Sequence, residues 1–419
     1  MIFDEKQKTQ PITKSQVWEA FNKVKAKGGA SGVDGLTPKM VAGNPKKYLY
    51  PLWNRMASGS YFPQPVKRVM IPKYDGSRRP LGIPTVIDRV AQTVIKEELE
   101  AIVEPLFSEY SYGYRPGKGA HQAIQQCRDN SMRFNWAIDL DIKGFFDNID
   151  HGLMIKALKY FTECKHILLY VKRWLKASIQ LQDEQIIQNH EKGTPQGGVI
   201  SPILANIFLH VVFDKWFERN YPDCKFERYA DDIIIHANRY GRAKQVLQKV
   251  KNRLSKCKLE VHPDKTRIVY CKGVQTHHPP FKPDHVSFDF LGFTFKPKLI
   301  RSKTKGMILC FLPTMSKKCK KQFTTTVRQL KLHRMTHLTI DQIAGILADK
   351  LRGWINYFGK INMKGLKSVM YWLNQRLCSW VKNKYKRFRT KTQAYNWLKD
   401  TARQYPTLFV HWQYDFRME

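Results

Sequence analysis

The sequence predicts an α+β fold, and three observations carry that prediction. Residues 1–60 read as helices around a glycine-rich segment at 28–35. The middle of the chain holds short β-branched strand patterns that end in carboxylates. Residues 301–395 repeat apolar side chains at helical spacing. Between the first two regions, residues 61–134 alternate short strands with helix. Val66–Ile71 reads as a strand, Tyr74–Ser77 as a turn, and Ile87–Ile102 as a helix.

Two acidic strands lie within residues 135–300. Asn135–Ile142 alternates apolar and polar side chains, as a half-buried strand does, and ends in Asp141 before Lys143-Gly144-Phe145-Phe146-Asp147. Tyr229-Ala230-Asp231-Asp232 lies between Phe226-Glu227-Arg228 and Ile233-Ile234-Ile235. That reads as strand, tight turn and strand, with two adjacent carboxylates at the tip. Taken alone, such a turn is also what a solvated Asp-Asp loop looks like. Adjacent acids repel each other, and a hard divalent cation with a preference for oxygen ligands removes that cost. A strand-end carboxylate beside a carboxylate hairpin makes a two-metal site for in-line phosphoryl transfer. Between the strands, Ser201-Pro202 reads as an N-cap with proline at the first helical position. The helix that follows is expected to bury Ile203, Ile207, Val211 and Trp216 behind the sheet.

Toward the C-terminus, Ile343, Leu347, Leu351, Trp354, Ile355 and Phe358 recur at helical spacing, as do Trp372, Leu373, Leu377 and Trp380. These residues pack a helical bundle. Binding then falls to the other faces, where Lys382, Lys384, Lys386, Arg387 and Arg389 lie. The tail from Pro406 to Trp412 is apolar enough to dock on the bundle.

Composition bounds the partners. A chain of 419 residues is expected to form two or three subdomains, and 42% apolar residues suffice for their cores. A formal charge of +37 makes nucleic acid the default partner, although a ribosomal or membrane-surface protein is equally basic. From Arg301 onward there are 25 Lys and Arg against 5 Asp and Glu, so more than half of the excess lies beyond the acidic strands. The 8 cysteines form no CxxC pair, which argues against a zinc ribbon or disulfide framework and for reduced thiols in a cytoplasmic protein. The N-terminus has no apolar signal-peptide core. The apolar stretch Val199–Phe213 is broken by Ser201, Pro202, Asn206 and His210, so no membrane span is expected.

Several motifs together resemble the reverse transcriptases, and in detail the reverse transcriptase/maturases encoded by group II introns. They are the YADD hairpin, the Asp141–Asp147 strand end and Thr194-Pro195-Gln196-Gly197-Gly198. With them go Gly28–Gly35, Ile71-Pro72-Lys73 with Arg78–Pro84, Ser111–Gly117, Phe290-Leu291-Gly292-Phe293 and Arg352–Phe358. The resemblance runs from about Gly28 to the last residues. It implies a right-hand polymerase. Residues 1–60 would be an N-terminal extension and the start of the fingers, and 61–134 the fingers. Residues 135–300 would be a palm with an antiparallel sheet, 301–395 a helical thumb or maturase domain, and 396–419 a short tail.

The resemblance also implies roles. Asp141, Asp231 and Asp232 would bind two Mg²⁺ ions, with Asp139 and Asp147 as neighbouring alternatives to Asp141. Phe146 would be the steric gate against a 2′-hydroxyl, unless it is the core member of the Phe145-Phe146 pair. Lys73 and Arg79 would clamp the incoming triphosphate, with Arg78 the rival of Arg79. Gln196, Gly197 and Gly198 would form the loop meeting nucleotide and template. Lys265 would protonate pyrophosphate or simply be a surface lysine. Arg115, Arg352, Lys382, Lys384 and Arg387 would contact RNA. The implied partners are RNA template or intron RNA, a DNA primer or target, and dNTPs. The His/Cys-rich endonuclease of many intron-encoded relatives is expected to be absent, because no cysteine follows Cys378. Two other readings stay open on sequence: an RNA-binding maturase with a vestigial polymerase site, and a host-adopted relative in defence or repair.

Overall fold

The computed structural model describes residues 10–418 except 73–75, 77, 189–190, 195–196, 274–278 and 303–305. The chain divides into two compact units. One comprises Met1–Gly119, Leu140–Ile235 and Tyr240–Arg267; the other comprises Ala120–Asp139, His236–Arg239 and Ile268–Glu419.

Local signals set the first helices. α1 (Lys14–Lys27) opens on a capping box between Thr13 and Gln16, buries Val17, Ala20, Phe21 and Val24, and stops at Gly28 with φ 65°. α2 (Pro38–Gly43) and α3 (Pro45–Ala57) each begin with proline after a side-chain cap, Thr37 and Asn44 respectively. β1 (Val66–Pro72) pairs antiparallel with β2 (Arg78–Ile83). α4 (Val86–Val103), capped by Thr85, packs against α1.

The middle of the chain runs through α5 (Ala120–Arg133), β3 (Trp136–Asp141), α6 (Phe145–Asn148), α7 (His151–Lys159) and α8 (Lys165–Leu175). Two short strands, β4 (Ile179–Gln180) and β5 (Ile186–Ile187), extend the first sheet to the order β2-β1-β4-β5. α9 (Ser201–Leu209) continues through a π-helical turn, His210–Asp214, into α10 (Lys215–Asn220). β6 (Lys225–Tyr229), β7 (Asp232–Ala237), α11 (Tyr240–Lys256) and β8 (Arg267–Tyr270) follow, and a second sheet has the order β6-β7-β3-β8.

The remaining strands are β9 (Phe288–Phe290), β10 (Phe293–Ser302) and β11 (Gly306–Met315). They form an antiparallel sheet, and β9 turns into β10 at Leu291 and Gly292, both with positive φ. Helices close the chain: α12 (Lys317–Gln329), α13 (Ile340–Trp354), α14 (Lys360–Asn362), α15 (Lys367–Lys384) and α16 (Lys391–Gln404). The tail docks as expected. Phe409 and Trp412 are buried, and Asn374 of α15 receives His411 and Trp412 at 2.7 and 3.2 Å. Among the described residues, no helix is long and apolar enough to cross a membrane.

Three expectations change. Ser201 is not the N-cap. Ile200 holds that place, and the Ser201 hydroxyl lies inside the helix, accepting from Thr194 at 2.9 Å. Ile203 and Ile207 are buried, but Val211 and Trp216 are only half-buried, and Val212, Phe213 and Phe217 take the core positions. The π turn explains the slip, because its wider turn rotates the following residues off the α-helical register. The helical region begins at Lys317 rather than near 301, since Gly306–Met315 pairs with β10.

One buried polar cluster ties these elements to the loop before α9. Asp88 accepts from Tyr61 Oη at 2.8 Å, Trp174 Nε1 at 2.7 Å and Gln92 Nε2 at 2.8 Å, while Gln92 Oε1 accepts the Ile200 amide at 3.2 Å. Burial raises the Asp88 carboxyl to about 6, against the pull of these three donors. In the unfolded chain it titrates near 4 (about 3.9). Between those values the unfolded state has released the proton that the folded state keeps, so this group's contribution falls as pH rises and then levels off. Relative to Asp88→Asn, wild-type stability in urea unfolding should therefore drop by on the order of 2–3 kcal/mol between about pH 4 and 6. A difference that stays constant over that range would place the raised titration elsewhere.

Candidate active site

The site grows from the hairpin joining β6 to β7. Ala230, with φ 58°, makes the left-handed turn residue, which leaves Asp231 on the turn and Asp232 as the first residue of β7. For a residue with a Cβ this conformation costs about 1–2 kcal/mol. The segment Ser111–Tyr114 lies against the hairpin: Tyr112 N–H donates to Arg228 O at 2.8 Å, and Arg228 N–H to Tyr110 O at 2.9 Å. A Cβ on Gly113 would stand 2.5 Å from the Ala230 nitrogen, so glycine is required there.

Asp141 comes to the same place on the end of β3. The strap 260–266 holds that end: His262 N–H donates to Asp141 O at 2.8 Å, and Asp141 N–H to Thr266 Oγ1 at 3.2 Å. Lys265 Nζ lies 3.2 Å from Asp141 Oδ2, with side chains 62% and 39% exposed. Asp139, two residues earlier, is buried, and Asp147 is exposed. Burial first, and then the charge of Asp141, raise the Asp231 carboxyl; Arg79 and Arg228 pull it back. Asp231 thus feels the charges of Asp141 and Arg79. Tyr114 joins them: burial, Tyr229 and Asp231 raise its hydroxyl and Arg79 lowers it. Arg79 rather than Arg78 is the arginine with this influence. Among the described residues, Asp141, Asp231 and Asp232 do not place one oxygen each within 4.8 Å of one another.

The two phenylalanines differ in exposure. Phe145 is buried against Phe208, and Phe146 is half-buried. Both sit on the short helix α6 after Gly144, not on a strand. The loop leading to Gly197 is fixed to this helix, with Thr194 N–H donating to Phe146 O at 2.8 Å. Gly197 has φ 115°, and a Cβ there would lie 2.2 Å from Gly82 O of β2, so only glycine permits this approach. Gly198 is buried behind it. Lys73 and Gln196 lie outside the described residues, as does the turn at 74–77 apart from Gly76.

Arg115 corrects an expectation. Its side chain is 6% exposed, pairs with Glu104 at 2.8 Å and donates to the carbonyls of Ser108 and Ser111. A guanidinium spent on internal acceptors is not presented to RNA. Lys384 is likewise turned inward, donating to Thr336 O at 2.9 Å and Leu338 O at 2.7 Å. Arg352, Lys382 and Arg387 remain exposed. Arg352 pairs with Asp349 at 3.1 Å, and Arg387 lies over the Phe388 ring at 4.9 Å.

Sequence reasoning missed Arg228, Asp214, Asn206, Thr266 and Tyr114. A signal existed for the first three. Asn206, His210 and Asp214 recur every four residues along an otherwise apolar helix, a polar stripe that needs a buried partner.

Residues 320–397 match the group II intron maturase-specific domain. The chain is similar to the group II intron-encoded protein LtrA of Lactococcus lactis subsp. cremoris, 32% identical over 57% of this chain and 38% of the relative. It is also similar to protein YkfC of Escherichia coli, 31% identical over 57% of this chain and 71% of the relative. An uncharacterized 91 kDa protein in the cob intron of Schizosaccharomyces pombe is 27% identical over 83% of this chain and 49% of its own. The chain thus spans less than half the length of the first and third of these relatives. Residues 71–295, more than half of the chain, match the reverse transcriptase (RNA-dependent DNA polymerase) model, and the chain belongs to that family.

Proposed function

We propose that this protein extends a primer 3′-hydroxyl with deoxynucleotides on an RNA template, with Asp141, Asp231 and Asp232 holding two Mg²⁺ ions. The observation that carries the reading is the hairpin turn that presents Asp231, packed against Ser111–Tyr114, where the charges of Asp141 and Arg79, from two distant segments, act on its carboxyl. The donor set suits the ions: carboxylate oxygens are hard ligands, and a divalent cation relieves the like charge that helps raise the Asp231 carboxyl. When bound, the ions lower the pKa of the primer hydroxyl and neutralise charge on the leaving pyrophosphate. On this reading the second sheet belongs to a palm, the β1–β2 hairpin to fingers, and the C-terminal helices to a thumb.

The chain's own residues supply the rest. Arg79, on β2, offers a planar fork to the incoming triphosphate. Phe146, half-buried beside its core neighbour, excludes a 2′-hydroxyl by its bulk. On this reading Lys265, carried by the strap that fixes Asp141 and paired with it at 3.2 Å, hands a proton to pyrophosphate. Gly197 lets the template loop approach β2 as closely as backbone allows.

Binding of intron RNA is the second role, and one observation favours it: the maturase-specific match covers 320–397, within the segment holding 25 basic and 5 acidic residues. Arg352, Lys382 and Arg387, all exposed, are the contacts proposed there.

Asp231→Ala should lower Mg²⁺-dependent synthesis on an RNA template by at least about a thousandfold while RNA binding persists. Synthesis retained in that variant would refute the assignment of the carboxylates. Phe146→Ala should raise ribonucleotide incorporation in a single-turnover assay; unchanged sugar selectivity would put the gate at another residue. RNA affinity, followed from low to moderate salt, should fall steeply, because each phosphate contact releases counterions. A flat response would remove the basic C-terminal surface from the binding account.

A further inference from the structure

Arg228 is a fully buried arginine directly behind the turn that carries Asp231, and nothing so far gives it a task. Its side chain and that of Asp214 are both 0% exposed. All three guanidinium nitrogens donate: Nε to Asp214 Oδ1 at 2.8 Å, Nη2 to Asp214 Oδ2 at 2.6 Å, and Nη1 to Asn206 Oδ1 at 2.9 Å and to Ala230 O at 3.1 Å. Asn206, also buried, donates through Nδ2 to Gly113 O at 2.8 Å. Gly113 in turn is the residue packed on the Ala230 nitrogen. The two ends of the Ala230 residue are therefore gripped from one source. Arg228 takes its carbonyl, and Asn206 fixes the segment that presses on its amide nitrogen.

Stability does not explain this arrangement. Desolvating two ions costs several kcal/mol each, and well-packed apolar replacements of buried pairs are often neutral or stabilising. What a bidentate guanidinium–carboxylate pair supplies is direction, since the planar fork admits one orientation. Direction is what the turn lacks on its own. Ala230 is an L-residue at φ 58°, a conformation that persists only where the surroundings over-determine it. The π turn at His210–Asp214 belongs to the same device: it ends on Asp214, two helical turns after Asn206, so that both side chains meet one guanidinium.

The geometry points to Arg228, braced by Asp214 and Asn206, as the positioning residue that sets the Ala230 turn and thereby aims the Asp231 carboxylate. This rests on the polymerase reading of Asp231. The arginine touches no reacting atom, and its effect is to hold the carboxylate where a cation is to be bound.

The test compares wild type, Asp231→Ala, Arg228→Lys and the double variant Arg228→Met/Asp214→Leu, which removes both buried charges together. Cooperative urea unfolding and RNA affinity report the fold. Amide hydrogen exchange at residues 229–232 reports the turn, and Mn²⁺ binding followed by electron paramagnetic resonance reports the site without turnover. Loss of one buried charge-assisted hydrogen bond corresponds to about tenfold, so folded variants should exchange these amides about tenfold faster and bind Mn²⁺ about tenfold more weakly. The Mg²⁺ concentration for half-maximal synthesis should rise in step. A folded variant with wild-type exchange and wild-type Mn²⁺ affinity overturns the proposal. So does failure of both variants to fold, which would make the pair a folding determinant. If wild type itself binds Mn²⁺ no better than Asp231→Ala and makes no DNA, it is the polymerase reading that fails instead.

Discussion

The structure turns on one electrostatic conflict: Asp231, pressed toward the interior on a strained turn, close enough to Asp141 to feel its charge. A fold gains nothing by bringing like charges together. The elements around the pair act on that conflict from three sides. The strap 260–266 fixes Asp141 through backbone bonds and sets Lys265 against it. The β1–β2 hairpin brings Arg79 to bear on Asp231, and the interior behind the turn supplies Arg228. Arg79 and Arg228 each offset part of the repulsion felt by Asp231 without removing it.

The same region uses glycine and buried polar groups where close approach must be exact to a few tenths of an ångström. Gly113 meets the Ala230 nitrogen and Gly197 meets the Gly82 carbonyl at separations that no side chain tolerates. The Asp88 cluster reaches through Gln92 to the amide of Ile200, so the start of α9 and the loop before it are anchored to the core of the first unit. Thr194 bonds both the Phe146 carbonyl and the Ser201 hydroxyl, which couples the phenylalanine pair to that anchor. Buried networks of this kind rigidify because every unmet partner is costly in low dielectric.

The second unit handles its charge differently. Many of its basic side chains serve local structure: Lys384 closes onto two carbonyls, and Arg328 and Arg376 lie over the Trp372 ring. Others, Lys382 and Arg387 among them, stay in solvent on the outer face of the bundle. Total charge therefore overstates the surface offered to a polyanion, and the residues facing outward decide the contact.

Much of this was legible in sequence, because it depends on period and local chemistry. The hairpin at Tyr229–Asp232, the strand ending in Asp141, the N-terminal helices around Gly28–Gly35 and the docked tail were all read from alternation, turn residues and apolar spacing. Exposure, by contrast, is read only from the fold: Asp139 and Phe145 are buried, while Asp141 and Phe146 are half-buried. What sequence did not determine was decided by distant partners. Arg115 looked like an RNA contact until Glu104 and two carbonyls claimed it, and Val211 looked buried until the π turn rotated it outward. Arg228 looked like one more basic residue in a basic chain. A guanidinium is the same group in water or in a core, and only the tertiary fold, by closing Asp214, Asn206 and Ala230 around it, settles which.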